Sequence, residues 1–190
     1  MKAVGYQTAH PIDHPESLLD ITLPDPVATG RDLLVEVHAV SVNPVDTKVR
    51  KSSSPSGDGP DYKVLGWDAS GIVRAVGPDV TLFQPGDRVW YAGSIARQGT
   101  NSELHLVDER IVGHAPKSLD FAEAAALPLT TITAWELLFD RLRVAPGKQP
   151  TQKTLLIIGA SGGVGSILTQ LAARLTSLTI IGTASRPETQ

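Results

Sequence analysis

The sequence predicts a mixed α/β fold, in which a compact, mostly antiparallel, barrel-like β domain leads into a parallel βαβ unit. Three observations carry that expectation. Residues 1 to 110 read as short β-prone segments separated by Gly/Pro turn chemistry. Near residue 118 the pattern changes to helical periodicity. Thr154 to Leu175, TLLIIGASGGVGSILTQLAARL, then sets a glycine-rich turn between an apolar run and an amphipathic helix.

Taken in order, Met1 to Tyr6 is a strand, and His10-Pro-Ile-Asp-His14-Pro is a loop, because each proline biases its predecessor away from helix. Ile21 to Leu23 forms a second strand closed by Pro24 and Pro26. Leu33 to Val42 alternates, with Leu33, Val35, Val37 and Ala39 on one face and Leu34, Glu36, His38 and Val40 on the other. His38 thus shares a face with Glu36, which a solvated strand face explains better than metal ligation. Val42-Asn-Pro-Val-Asp46 ends that strand, and Lys51 to Gly59, KSSSPSGDG, is a surface loop by composition. Gly66 to Gly71 leads into a strand over Ile72 to Val76, and Pro85-Gly-Asp turns into a strand through Val89-Trp-Tyr. Glu103 to Val107 and Arg110 to His114 are two more extended pieces.

Asp120-Phe-Ala-Glu123 is a capping box that opens a helix over Phe121 to Leu127, which Pro128 interrupts. Ile132, Trp135, Leu138, Phe139 and Leu142 then line one helical face until Pro146-Gly147. Leu155 to Ile158 is an apolar run of the kind buried on both faces of a parallel sheet. After the turn, Val164, Ile167, Leu168, Leu171, Ala172 and Leu175 recur at helical spacing, and Leu178 to Thr183 supplies the second strand. Glycines at 159, 162 and 165 allow a tight reversal and let backbone N–H groups approach a pyrophosphate at the positive end of the helix. Because both flanks match, nucleotide binding is favoured over a ligand-free loop.

This divides the chain into a β-rich domain over 1–118, a helical connector over 119–150 and the start of a dinucleotide-binding domain over 151–190. Ser185-Arg-Pro187-Glu188 reads as the N-cap, first-turn proline and capping-box glutamate of a further helix. A two-stranded parallel sheet with one crossover helix leaves apolar faces uncovered near Leu156, Ile158 and Ile180. The expectation is therefore the front part of a longer protein, with residues 1–190 alone not a competent enzyme.

Composition narrows the function classes. The 190 residues are 41% hydrophobic and 19% charged, with a net charge of -3, which gives no reason to expect nucleic acid or an anionic membrane as partner. With no cysteine there is neither a disulfide nor thiolate-bound zinc, which fits a cytoplasmic protein. No apolar run approaches the roughly 18 residues of a membrane span.

Val42-Asn-Pro-Val-Asp46, Leu65-Gly-Trp-Asp-Ala-Ser-Gly71, Pro85-Gly-Asp-Arg-Val89, Ala124 to Trp135 and Gly159-Ala-Ser-Gly-Gly-Val-Gly165 together resemble the medium-chain dehydrogenases/reductases. More narrowly, the chain is similar to the N-terminal part of the zinc-free quinone oxidoreductases, the zeta-crystallin-like and zinc-type alcohol dehydrogenase-like branch. The resemblance implies a GroES-like β-barrel followed by the first βαβ of a Rossmann doubly wound sheet, NADPH as cofactor, and a homodimer acting on a small quinone or conjugated enone. It also locates departures. Zinc-dependent relatives carry a cysteine where Asn43 stands, a His-Glu pair where Trp67-Asp68 stands, and another cysteine near Leu129. Asp68 alone cannot build a three-ligand zinc site.

The resemblance places Asn43 and Thr130 near the nicotinamide, and Ala160, Ser161, Gly162, Gly163 and Val164 at the cofactor's phosphates. The plainer readings are a strand-end turn residue for Asn43, a helix N-cap for Thr130, a structural carboxylate for Asp46 and a core tryptophan for Trp67. Tyr62, Asp68 and His105 show no catalytic arrangement, and no general acid is assigned. NAD-preferring folds place a carboxylate about 20 residues past the glycine turn. Here Ser185 and Arg186 stand instead, and a guanidinium and a hydroxyl suit a 2′-phosphate. The competing readings are a non-catalytic NADPH-binding, crystallin-like protein and a zinc-independent alkenal or enoyl-thioester reductase.

Overall fold

A computed structural model describes residues 1–53, 55 and 61–186, and its contacts divide the chain into two compact units, Met1–Pro128 and Leu129–Gln190. The first unit has strands Lys2–Tyr6 (β1), Leu19–Thr22 (β2), Asp32–Ser41 (β3), Lys63–Val64 (β4), Asp68–Val76 (β5), Arg88–Ala92 (β6), Leu104–Asp108 (β7) and Val112–His114 (β8). Helices Pro44–Ser52 (α1) and Phe121–Ala125 (α2) accompany them. A five-stranded antiparallel sheet runs β7-β3-β5-β6-β8, and a three-stranded one runs β2-β1-β4.

The alternation of β3 explains its place between β7 and β5. Leu33 and Val35 join Ala69, Val73, Val89, Tyr91 and Val107 in the main core, while the opposite face carries Glu36 and His38. Glu36 pairs there with Arg74, and exposed His38 lies 3.3 Å from Glu36 and stacks on Phe121 at 4.4 Å. That is the solvated strand face expected for His38. The capping box of Asp120 and Glu123 forms as read, with N–H to carboxylate distances of 3.0 and 2.8 Å.

Three elements differ from expectation. β5 starts at Asp68 rather than Ile72, because Asp68 to Gly71 pair with β3 on one side and β6 on the other. Two polar residues, Asp68 and Ser70, hid the fully buried first half of the strand. The extended piece over Arg110 to His114 shortens to β8, because the Asp108 carboxylate accepts from the Arg110 N–H at 2.9 Å and starts a 3₁₀ turn over Glu109–Ile111. Helix α1 replaces the turn expected at Val42–Asp46. Asn43 is its N-cap, Pro44 occupies the first turn, and the Asp46 carboxylate accepts from the Asn43 N–H at 2.7 Å. Lys51 and Ser52 belong to α1, while Ser54 and residues 56–59 of the expected surface loop lie outside the described residues.

Buried polar groups hold the first unit together, Asp46 and His105 among them. Asp46 also accepts from the Gly66 N–H at 2.9 Å, so one carboxylate ties the start of α1 to the segment before β5. His105 lies between the Tyr91 hydroxyl at Nδ1 and the Gln98 carbonyl at Nε2, both at 3.0 Å. A carbonyl only accepts, so Nε2 carries the proton and Nδ1 accepts from Tyr91. Burial lowers the His105 pKa to about 4, with the Gln98 bond opposing and Arg97 adding to the shift.

The second unit contains helix Pro128–Trp135 (α3), which begins at its boundary, a π-helical segment Glu136–Arg141, strand Thr154–Ile157 (β9), helix Gly163–Leu175 (α4) and strand Thr179–Gly182 (β10). β9 and β10 pair in parallel, Thr179 opposite Thr154. Ala134, Leu138, Ile157, Leu168 and Ala172 form its core, with Val164, Ile167, Leu171 and Ile180 packed against them. Leu155 to Ile158 is not buried on both faces: Leu156 is 58% and Ile158 82% exposed. Ile180 packs inward, and its neighbour Ile181 is the exposed one, as strand alternation requires.

The helical face drawn through Ile132, Trp135, Leu138, Phe139 and Leu142 breaks up. Only Leu138 and Phe139 join the core, because the π segment changes the angular step and Ala134 takes the inward position. That helical stretch ends at Arg141, ahead of Pro146-Gly147, and Arg143 adopts φ 51° just beyond. Among the described residues no helix is long and apolar enough to cross a membrane.

Two outcomes follow. Asp46→Ala leaves the buried Gly66 N–H and the half-buried Asn43 N–H without their acceptor and should lower the unfolding free energy by about 2 kcal/mol. Urea titration checks this, and a loss under about 1 kcal/mol would show that Asp46 is dispensable. His105 has a folded pKa below its unfolded value, so on acidification the unfolded chain binds the proton first. Its contribution is intact above pH 6.5 and is lost progressively towards about pH 4, by roughly 3 kcal/mol in all. His105→Gln, which keeps a donor and an acceptor, should flatten the stability–pH slope across that window; an unchanged slope would refute the assignment.

Candidate functional site

The glycine turn lies between β9 and α4, and the end of β10 closes it from the side. Gly159 adopts φ 73°, a left-handed conformation that reverses the chain as it leaves β9. Thr183, just past β10, holds the reversal at three points. Its hydroxyl accepts from the Gly159 N–H at 3.1 Å, its carbonyl accepts from the Ala160 N–H at 2.8 Å, and its own N–H donates to the Ile157 carbonyl at 2.9 Å. The Gly162 N–H donates to the Gly159 carbonyl at 3.0 Å, and the first bond of α4 runs from the Ser166 N–H to the Gly162 carbonyl at 2.8 Å.

Packing here forbids larger residues. A Cβ on Gly165 would overlap the Gly159 carbonyl oxygen, and one on Gly182 would sit 2.7 Å from the Ala160 Cβ. The N-cap of α4 is Gly162, which has no side chain to occupy the helix end. The first N–H groups of a helix have no intrahelical partner, and they carry the positive end of its dipole. Beside the turn a cleft of about 630 Å³ opens, lined by Ala160, Ser161, Ser166 and Thr169 on one side and Gly182, Thr183 and Ala184 on the other. Its shape and donors fit a phosphate-bearing ligand.

The site residues read from the sequence fall into four groups. Ala160, Ser161, Gly162, Gly163 and Val164 form the turn and the first residues of α4. Thr130 is the third residue of α3 rather than its N-cap, and its Cγ2 lies 3.4 Å from where a Gly163 Cβ would sit, beside the same turn. Ser185 and Arg186 follow Ala184 at the mouth of β10 and are exposed; Pro187 and Glu188, the rest of the expected capping box, lie outside the described residues.

Asn43 belongs to the first unit, where its amide Nδ2 donates to the Asp68 carboxylate at 2.8 Å. Trp67 is buried with its indole N–H on the Ser94 carbonyl at 3.0 Å, a core role. Sequence reasoning missed Ser166, Thr169, Gly182 and Thr183. The available signal was the polar threonine at the tip of an otherwise apolar strand, and two hydroxyl residues one turn apart on α4.

Comparison with known proteins agrees with this geometry. Residues 29–133 match the alcohol dehydrogenase GroES-like domain. A zinc-type alcohol dehydrogenase-like protein of Staphylococcus aureus is 45% identical over 190 residues, covering all of this chain and 56% of its own length. A Rhizobium etli CFN 42 protein provisionally named a zinc-dependent alcohol dehydrogenase superposes with a TM-score of 0.90 at 63% identity, over all of this chain and 55% of that one. The Escherichia coli quinone oxidoreductase solved with NADPH gives 0.77 at 28% identity, over 100% and 54%. The chain thus spans about half the length of the curated relatives it matches. With a GroES-like domain ahead of a parallel strand pair and its glycine turn, the chain belongs to the medium-chain dehydrogenase/reductase superfamily.

Proposed function

We propose that this chain is the front part of an NADPH-dependent oxidoreductase that reduces quinones or conjugated enones without zinc. The observation that carries the cofactor half of this reading is the start of α4, with no side-chain cap on Gly162, behind a turn that excludes a side chain at Gly165. When bound there, the dinucleotide supplies a hydride. The chain's own task is to bind and orient it: N–H groups from Gly163 onward receive the pyrophosphate, Thr130 addresses the nicotinamide end, and Ser185 and Arg186 the 2′-phosphate. Residues 119–150 connect the β domain to this dinucleotide-binding segment.

The donor set does not fit a catalytic zinc, whatever the zinc-related names of relatives. Asn43 presents an amide N–H to Asp68, the Trp67 indole has only an N–H and spends it on Ser94, and Leu129 has no lone pair. Without such an ion there is no Lewis acid to polarise an alcohol. A conjugated carbonyl is already electrophilic at its β-carbon, and the similarity to a quinone oxidoreductase supports that substrate class.

Quinone turnover by the full-length protein should survive prolonged chelator dialysis within about twofold. Activity that collapses on chelation and returns with one equivalent of zinc would overturn the zinc-free reading. For cofactor choice, a charge-assisted hydrogen bond contributes roughly 1.5–3 kcal/mol, about 10- to 150-fold in affinity. Arg186→Ala should cut NADPH affinity by that factor and leave NADH affinity nearly unchanged in fluorescence titrations. Equal losses for both cofactors, or none, would remove Arg186 from the role.

A further inference from the structure

The loop between β1 and β2 takes no part in the site described above, yet it gathers three metal-competent side chains. His10, His14 and Glu16 each offer one ligand atom, and these atoms lie within 4.8 Å of one another. The two imidazoles are stacked, with centres 3.9 Å apart and planes 16° from parallel. In stacked rings the in-plane lone pairs run parallel rather than converging, so binding an ion must turn one ring out of the stack, which the exposed His14 side chain is free to do.

The loop backbone is already fixed. The His14 N–H donates to the Pro11 carbonyl at 3.1 Å, and the Ser17 N–H to the His14 carbonyl at 3.0 Å. The Ser17 hydroxyl, itself buried, donates to the Ile12 carbonyl at 3.0 Å. Arg50 donates to the His10 carbonyl at 2.8 Å, and a proline follows each histidine. Little backbone order remains to be imposed on binding, which preserves affinity.

We propose that His10, His14 and Glu16 form a surface site for a divalent transition-metal ion of borderline softness (Zn²⁺, Cu²⁺ or Ni²⁺), with two imidazole nitrogens and one carboxylate oxygen as ligands and water completing the shell. Imidazole selects this class over Mg²⁺ and Ca²⁺. Metal–ligand bonds of about 2.0–2.1 Å require the donors to close by on the order of 1 Å, which rotation of the exposed His14 and Glu16 side chains supplies. The His14 Nδ1 lone pair now accepts from the Glu16 N–H at 3.1 Å. A neutral imidazole has one such lone pair, so coordination exchanges that exposed bond for the metal and returns the N–H to water. The guanidinium of Arg50 opposes a cation here, which makes the site exchangeable rather than structural.

Zn²⁺ calorimetry and Cu²⁺ electron paramagnetic resonance on the full-length protein test this. One saturable equivalent is expected, with the Cu²⁺ spectrum showing coupling to two imidazole nitrogens. His10→Ala and His14→Ala should each weaken binding at least about tenfold, and Glu16→Gln by less. His38→Ala, removing an exposed imidazole on β3, should leave it unchanged. Should a variant fail to fold, the wild-type Cu²⁺ spectrum still decides. No saturable equivalent, fewer than two coupled nitrogens, or a His10→Ala/His14→Ala double variant binding within about twofold of wild type would each overturn the proposal.

Discussion

The second unit rests on a contact that leaves no space. Where α4 leaves the turn, Gly165 lies so close to the Gly159 carbonyl that no Cβ fits between them, and Gly182 lies similarly close to Ala160. This approach sets how near the helix end comes to the strand tips, and so whether backbone N–H groups line the cleft at all. Thr183 completes the arrangement by bonding the reversal through its hydroxyl, carbonyl and N–H, so the geometry is held by backbone and one short side chain. Such a site has few rotamers to lose when a ligand arrives.

In the first unit, buried polar groups take the part that glycines take in the second. Asp46 bonds the Asn43 and Gly66 N–H groups, and Asn43 turns its amide onto Asp68. The segments before β5 and after β3 are thereby fixed relative to each other by charge-assisted bonds in a buried setting. Glu109 is held in the same way, fully buried and accepting from Arg31, Thr81 and Leu82 at 2.5, 2.9 and 2.7 Å. Each of these carboxylates joins segments distant in sequence, a task that apolar contacts perform with less positional selectivity.

Periodicity made much of this legible. The alternation of β3, the helical spacing of α4 and the capping box at Asp120 all appeared where local chemistry put them. Failures occurred where tertiary contacts overrode the local pattern. Asp68 and Ser70 look like loop residues until paired strands supply partners for both edges. The π segment after Trp135 changes the angular step, so a face drawn at ordinary helical spacing loses its register. The start of α1 is written in Asn43, Pro44 and Asp46, but a proline that opens a helix's first turn also ends a strand, and β3 immediately before it makes the two indistinguishable in sequence. At the site, the glycines announced themselves, but Thr183 did not: its role depends on a strand that pairs with β9 only in three dimensions.

The two strands of the second unit have a further consequence during biosynthesis. The sheets of the first unit close entirely within residues 2–114, so that unit can complete its hydrogen bonding early as the chain emerges from the ribosome. β9 and β10 lie more than 20 residues apart in sequence and pair across the intervening α4, so the parallel ribbon closes only after residue 182 has emerged. The two units thus acquire their hydrogen bonds in sequence order, the antiparallel sheets first and the parallel pair last.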